Sequence, residues 1–452
     1  MSALNNHTGS IDRPKYSCAL GGALATLSAL PRTVPIVHAS PGCALNLGYA
    51  IDAGAGYAGS GYSGGAALPS TNVCEEEIVF GGEGRLREQV EKTIELVDAD
   101  LYIILSGCMV EMIGDDIVSV TRDTALRGRH VLAAETGGFR GNSYKGYDIV
   151  LSALFRDFVK KQCKKDSGLV NVIGLVPAYD VFYRGNLTIV RTLLEQLGLR
   201  VNTFFTESDR LEDLENAGEA ALTIVLSDRF GVESAEVFQK IHGTPFITTG
   251  LPIGGEATAR FLRRVAGTLG IGETKVKELI AREEDRYYKN LVRISNLYND
   301  YDLQRYVIIV ADSNYAPAFS GFVADDLGFL PELAVITDVI RPEEEAVVKT
   351  RFTEGREGLT PEIVFDRNEE QLLPLIKRHW ALDHNDWYYD TMTPQVIIGS
   401  SFEIDLAADL GAPLLCAAYP VTNRVVMSRG YAAYSGAVTL AEDLLSVLIA
   451  AR

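Results

Sequence analysis

Apolar residues in this chain fall into short, nearly continuous runs, separated by stretches in which they recur every three or four positions. The first pattern marks strands buried on both faces and the second marks helices that cover them. Their alternation along the chain predicts an α/β fold of parallel sheets flanked by helices. The first strand candidates are 34–40 (VPIVHAS), 101–107 (LYIILSG) and 131–135. After Phe80, the run GGEGRLREQVEKTIEL carries Leu86, Val90 and Ile94 at intervals of four, with charge elsewhere, which predicts an amphipathic helix. A second group of strands is expected at 169–176, 201–206, 222–226 and 245–250, followed by a long charged helix over 275–300. A third group is expected at 306–311, 333–338, 362–366, 396–400 and 413–418. The organisation that follows is a flexible polar lead (1–15) and three doubly wound, Rossmann-like units over 16–167, 168–300 and 301–452. A length of 452 residues suits three units of roughly 150.

Composition narrows the function classes. A net charge of −18 argues against nucleic acid, whose phosphates demand clustered Lys and Arg. No run approaches the ~20 apolar residues of a membrane span, and the first residues lack a signal-peptide layout. Six cysteines in such a chain point to a reducing cytoplasm, where thiols serve as ligands or free side chains. There is no GxxxxGK[ST], no GxGxxG opening a helix after a strand, and no HExxH, so neither ATP hydrolysis nor a bound dinucleotide is expected.

Candidate chemistry centres on Cys18 in KYSCALGG, Cys43 in HASPGCALN and Cys108 in LSGCMVEMIGDD. Cys43 and Cys108 follow two strand candidates, and ligands of open parallel sheets collect at strand carboxyl ends. Gly21, Gly22, Gly42 and Gly107 would let backbone approach a bulky group. The three thiols therefore suggest iron–sulfur ligands, while spacing alone equally allows three small buried hydrophobes. No CxxC pair supports a self-contained zinc or ferredoxin site, and three thiolates are too few to close a cubane, so a second subunit would have to complete the cluster. Cys74, ahead of three glutamates, reads as an ordinary thiol, Cys163 as a linker-edge residue and Cys416 as a buried strand residue. His38 reads as a satisfied core histidine or a cluster neighbour, and Asp115–Asp116 as caps of the following helix. Phe80, flanked by glycines, is either a docking anchor or an inward-packing staple. The glycine- and tyrosine-dotted stretch 48–65 suggests close backbone packing, an interface loop or a mobile surface loop.

The stretches KYSCALGGALATL, PIVHASPGC, IVFGGEGRLREQVEK, SGCMVEMIGDDIVSV and RGYAAYSGA together resemble the component 1 proteins of nitrogenase and their relatives. The resemblance runs nearly the whole length and implies three cysteines, Cys18, Cys43 and Cys108, on half of an [8Fe-7S] P-cluster. It also implies Phe80 at the docking surface of an ATP-dependent iron–sulfur reductase. Where an α-type chain would carry its cofactor cysteine this one has Ser227 and Asp228, and none of its six histidines falls in the carboxyl-terminal stretch VVMSRGYAAYSGAVTL. LPIGGEATARFL and GYAAYSGA also look like the β-type pattern. The implied role is a β-like subunit of an α2β2 complex, relaying electrons to a cofactor on the α-like chain. The interval from Cys43 to Cys108 and the wording IVFGG are nearer the α-type pattern. The serine that can bind the oxidised P-cluster falls here at Gly138, so serine ligation is not expected. The stretch 48–65 looks like neither ordinary subunit and suggests a divergent nitrogenase-like reductase, methylthio-alkane reductase foremost. The competing readings are a true nitrogenase β-subunit, a cofactor-assembly scaffold, and an unrelated metabolite-binding α/β protein.

Overall fold

The computed structural model describes residues 14–56, 68–125, 128–162, 164–297, 305–354, 360–367, 371–379 and 396–451. Within them three sheets form, and every strand pairing in them is parallel. The first holds β1 (Thr33–His38), β2 (Leu101–Ser106) and β3 (His130–Glu135) in that order. The second has β4 (Asp166–Ile173), β5 (Arg200–Asn202), β6 (Ala220–Val225) and β7 (Phe246–Thr248) in the order β5-β4-β6-β7. The third has β8 (Tyr306–Ala311), β9 (Leu330–Ile336), β10 (Glu362–Phe365), β11 (Val396–Gly399) and β12 (Leu414–Cys416) in the order β10-β9-β8-β11-β12.

The continuous apolar runs became strands because helices cover both faces of each sheet. Leu101 to Ser106 is buried throughout, for example. Register in the first sheet aligns His38 with Ser106 and Ser106 with Glu135, so the segments leaving β1, β2 and β3 emerge side by side at one edge. Adjacent strands lie about 4.8 Å apart, which brings those segments close together.

Several expected elements are shorter than the pattern suggested, among them the strands at 245–250 and 413–418, which reduce to Phe246–Thr248 and Leu414–Cys416. The strand at 201–206 stops at Asn202, because Asp209 takes hydrogen bonds from the Thr203 hydroxyl (2.8 Å) and the Thr206 N–H (2.7 Å) and turns the chain. The charged helix runs Glu273–Val292, and 298–300 lie outside the described residues. The helix after Phe80 spans Glu83–Leu96, with Leu86 and Val90 buried as their spacing predicts. Residues 48–54 continue the helix Pro41–Gly54 rather than forming a loop, and Gly54 packs on the Tyr419 ring; 57–67 lie outside the described residues, as does Cys163. The helix Ala433–Ala450 is long and apolar enough to cross a membrane, yet Leu440, Leu444, Leu445 and Leu448 are buried against neighbouring helices. Its apolarity is that of a core helix.

One helix crossing matters for the site. Ala19–Ser28 lies against Ser143–Asp157 so closely that a Cβ at Gly22 would sit on the Ser143 carbonyl, and one at Gly146 on the Ala19 carbonyl. That contact seats the residue just ahead of the first helix, Cys18.

Candidate metal centre

All three cysteines stand at or near helix starts at the carboxyl edge of the first sheet. Cys43 is the third residue of Pro41–Gly54, which follows β1, and Cys108 is the first of Cys108–Ile113, which follows β2. Cys18 precedes Ala19–Ser28 and is held from the β3 side: Ala19 N–H donates to the Gly141 carbonyl (2.9 Å) and Ser143 N–H to that of Ser17 (2.8 Å). Gly138, beyond β3, lies between two of the thiols. Its N–H donates to Cys108 Sγ at 3.0 Å. A Cβ there would stand 3.1 Å from that sulfur and 3.2 Å from Cys18 Cβ. Gly138 thus gives both cysteines room that a side chain would take.

Cys18 and Cys43 are half-buried and Cys108 is exposed. Burial pushes the Cys43 thiol up, and the charges of Cys18 and Cys108 push it further, so the three feel one another electrostatically. Cys43 therefore resists ionisation unless a cation lies beside it. Among the described residues no three His, Cys, Asp or Glu are grouped to hold a single metal ion. Thiol donors of this kind suit soft iron in a larger multi-iron group. Exposed apolar side chains stand on the same segments: Leu45 and Tyr49 after Cys43, Met109 and Met112 after Cys108, and Phe139 after Gly138.

His38 points elsewhere. Its buried ring bonds Thr71 Oγ1 and Asp115 Oδ2, each at 3.0 Å, and burial lowers its basicity. It is a satisfied core histidine. Of the two aspartates, Asp116 caps the helix Ile117–Ala125 by accepting from Val118 and Ser119 N–H. Asp115 does not; it accepts from Gly82 N–H at 3.0 Å and so anchors the turn beside Phe80. Phe80 is 83% exposed at the end of Glu75–Phe80, so the inward-staple reading fails. Cys74, exposed, caps that same short helix, and Cys416 is buried in β12.

Beside the thiols opens a cleft of about 980 Å³ that Cys18, Gly138, Tyr144, Asp228, Arg229 and Phe230 help line. Ser227, buried just ahead of that lining, is a turn residue, its Oγ accepting from Arg229 and Phe230 N–H at 3.1 Å. Asp228 pairs with Arg351, and Arg229 pairs with the fully buried Asp338 and with Glu344. Burial works against ionisation of Glu344, but hydrogen bonds from Arg341 and the charge of Arg229 hold it down at about 2. Deeper in, Asp180 accepts from Tyr315 OH at 2.6 Å and from Phe182 N–H at 2.9 Å, and burial pushes it up to about 7.

The sequence reading passed over two residues. Glu111 carries a hydrogen-bond hub behind Gly138, and its place one turn after Cys108 was the available signal. Lys15 is buried, pairs with Glu403 and donates to Ser400 Oγ at 3.3 Å, tying the residues before Cys18 to the third sheet. Nothing local in the sequence announces that pairing.

The model for the family described as nitrogenase component 1 type oxidoreductase matches residues 18–449. The chain belongs to the nitrogenase component 1 family. Among similar component 1 relatives, the nitrogenase iron-molybdenum cofactor biosynthesis protein NifE of Methanosarcina barkeri is 27% identical over 304 residues, 64% of this chain and 63% of that protein. The chain thus spans less than two thirds of that curated relative's length. The nitrogenase molybdenum-iron protein beta chain of Methanococcus maripaludis is 22% identical over 483 residues, covering 99% of this chain and 96% of that one. Nitrogenase Cp1 at pH 6.5 superposes with a TM-score of 0.78 at 18% identity, covering 98% of this chain and 94% of that chain, a likeness of fold.

Proposed function

We propose that this component 1 chain is the β-like subunit of a nitrogenase-like reductase complex in the cytoplasm. In this reading Cys18, Cys43 and Cys108 hold half of an iron–sulfur cluster, the [8Fe-7S] P-cluster type, and an α-like subunit supplies the other half in an α2β2 assembly. The observation that carries it is the convergence of three thiols from three separate segments at one open edge, beside the Gly138 N–H donor. When bound, such a cluster accepts and passes on single electrons at a potential tuned by its thiolates, burial and hydrogen bonds. The chain's own work is to place the sulfurs, to offer Gly138 N–H to Cys108, and to present an apolar collar (Leu45, Tyr49, Met109, Phe139) for the α-like partner to cover.

Phe80, exposed and held by the Asp115-anchored turn, is the contact for an ATP-dependent iron–sulfur reductase. Reduction then occurs on the α-like subunit, with methylthio-alkanes as the favoured substrate class and cleavage of a C–S bond as the reaction. Dinitrogen reduction by a true nitrogenase is the alternative within the same assembly. A cofactor-assembly scaffold is a second reading, favoured by the 27% identity to a cofactor biosynthesis protein.

Iron and sulfide analysis of the complex purified anaerobically tests the site. Cys43→Ala is expected to abolish cluster assembly and weaken subunit pairing; unchanged iron content would contradict the assignment. Turnover with the ATP-dependent reductase, offered a methylthio-alkane or dinitrogen, separates the two reductases. No turnover on either, with iron bound, favours the scaffold.

A further inference from the structure

Glu111 stands one helical turn after Cys108, with its side chain almost fully buried. Its Oε1 accepts from Ser106 Oγ and from Gly137 N–H, both at 2.6 Å. Its Oε2 accepts from Arg140 Nε at 2.7 Å. These partners bracket Gly138. Gly137 precedes it, Arg140 closes the turn by donating its N–H to the Gly137 carbonyl (2.9 Å), and Ser106 belongs to the strand that leads to Cys108. Ser106 grips the same loop again, its Oγ accepting from Thr136 N–H at 3.1 Å and its carbonyl from the Thr136 hydroxyl at 2.8 Å. One carboxylate therefore joins the end of β2 to both flanks of Gly138. The result is a single N–H aimed at a single sulfur, 3.0 Å away.

We infer that Glu111 is a positioning residue that holds the Gly138 N–H on Cys108 Sγ and thereby raises the reduction potential of iron bound to that sulfur. The inference rests on the cluster proposed above and specifies how this chain regulates it. An N–H···S bond draws charge from the thiolate and favours the reduced, more negative form of the bound group, so its loss lowers the potential. A side chain at residue 138 could not be accommodated without moving a cysteine, so the hydrogen bond depends on how the loop is held from behind, and Glu111 is what holds it.

The test uses the complex of this chain with its α-like partner. Glu111→Ala is expected to shift the one-electron reduction equilibrium of the cluster at least tenfold toward the oxidised form, which is about 59 mV to lower potential. Redox titration followed by electron paramagnetic resonance reads the potential, and iron content is measured on the same samples. Glu111→Gln keeps an acceptor oxygen but loses the charge-assisted pairing with Arg140; it should shift the potential in the same direction by less, and is the variant to read if Glu111→Ala loses iron. A wild-type potential in the variants at wild-type iron content overturns the role of Glu111 and leaves the cluster proposal standing. Iron absent from the wild-type complex overturns the cluster proposal, and this inference with it.

Discussion

The thiol-bearing edge of the first sheet and the cleft beside it share a wall, since Cys18 and Gly138 help line that cleft, yet they handle charge in opposite ways. In the cleft the cations meet carboxylates of this same chain: Arg229 with Asp338 and Glu344, Arg341 with Glu344, Lys145 with Glu233. At the edge, three thiols crowd one another and burial adds to the difficulty of ionising Cys43. The cleft is neutralised from within. The edge gathers thiols with no cation recorded beside them among the described residues, framed by exposed apolar side chains.

Four substitutions probe that contrast, from the largest expected effect downward. Gly22→Val drives a side chain into the Ser143 carbonyl, prises Ala19–Ser28 from Ser143–Asp157 and displaces Cys18. A loss of at least about 3 kcal/mol is expected in urea unfolding, together with loss of bound iron. Arg229→Ala leaves Asp338 buried and uncompensated, at about 3 kcal/mol. The penalty should shrink as pH falls and Asp338 takes up a proton. Iron content should hold; a parallel fall would show that cleft and edge are one unit.

Asp180→Asn tests the buried acid behind the cleft. In the folded chain its carboxyl keeps its proton up to about pH 7, where the unfolded one has released it. Its contribution to stability is complete below about pH 4 and is lost as pH rises through that window, at up to about 1.4 kcal/mol per pH unit. The variant should flatten that part of the stability–pH profile, measured by urea midpoints between pH 5 and 8. Phe80→Ala should leave stability within about 0.5 kcal/mol. It should still weaken binding of the ATP-dependent reductase roughly tenfold, about 1.4 kcal/mol, in a titration of the docked complex.

Much of this layout could be read from residue order. Strands such as VPIVH and LYIILS announced themselves because both their faces are buried, which leaves no polar alternation to confuse with a helix. The placement of Cys43 and Cys108 at helix starts followed from the strand ends, whereas Cys18 stands ahead of the first helix. What escaped depends on partners far away in sequence. Lys15 looked like part of a polar lead because Glu403, its counter-charge, lies at the other end of the chain. Thr203 to Thr206 looked like strand because β-branched and aromatic residues favour it, until Asp209 claimed their hydrogen bonds. Asp115 and Asp116 are adjacent and chemically identical, and only the fold assigns one to a helix cap and the other to the turn beside Phe80.

The grip of Lys15 on Glu403, with Tyr16 bonded to Thr337, has a consequence for how Cys18 is held. Lys15 and Tyr16 lie just before Cys18, while their partners Glu403 and Thr337 belong to the third sheet region, 388 and 321 residues further along the chain. The near contacts with Gly141 and Ser143 can form early, but this second anchorage forms only once the third sheet is in place, so loosening that sheet should free the approach to Cys18 as well.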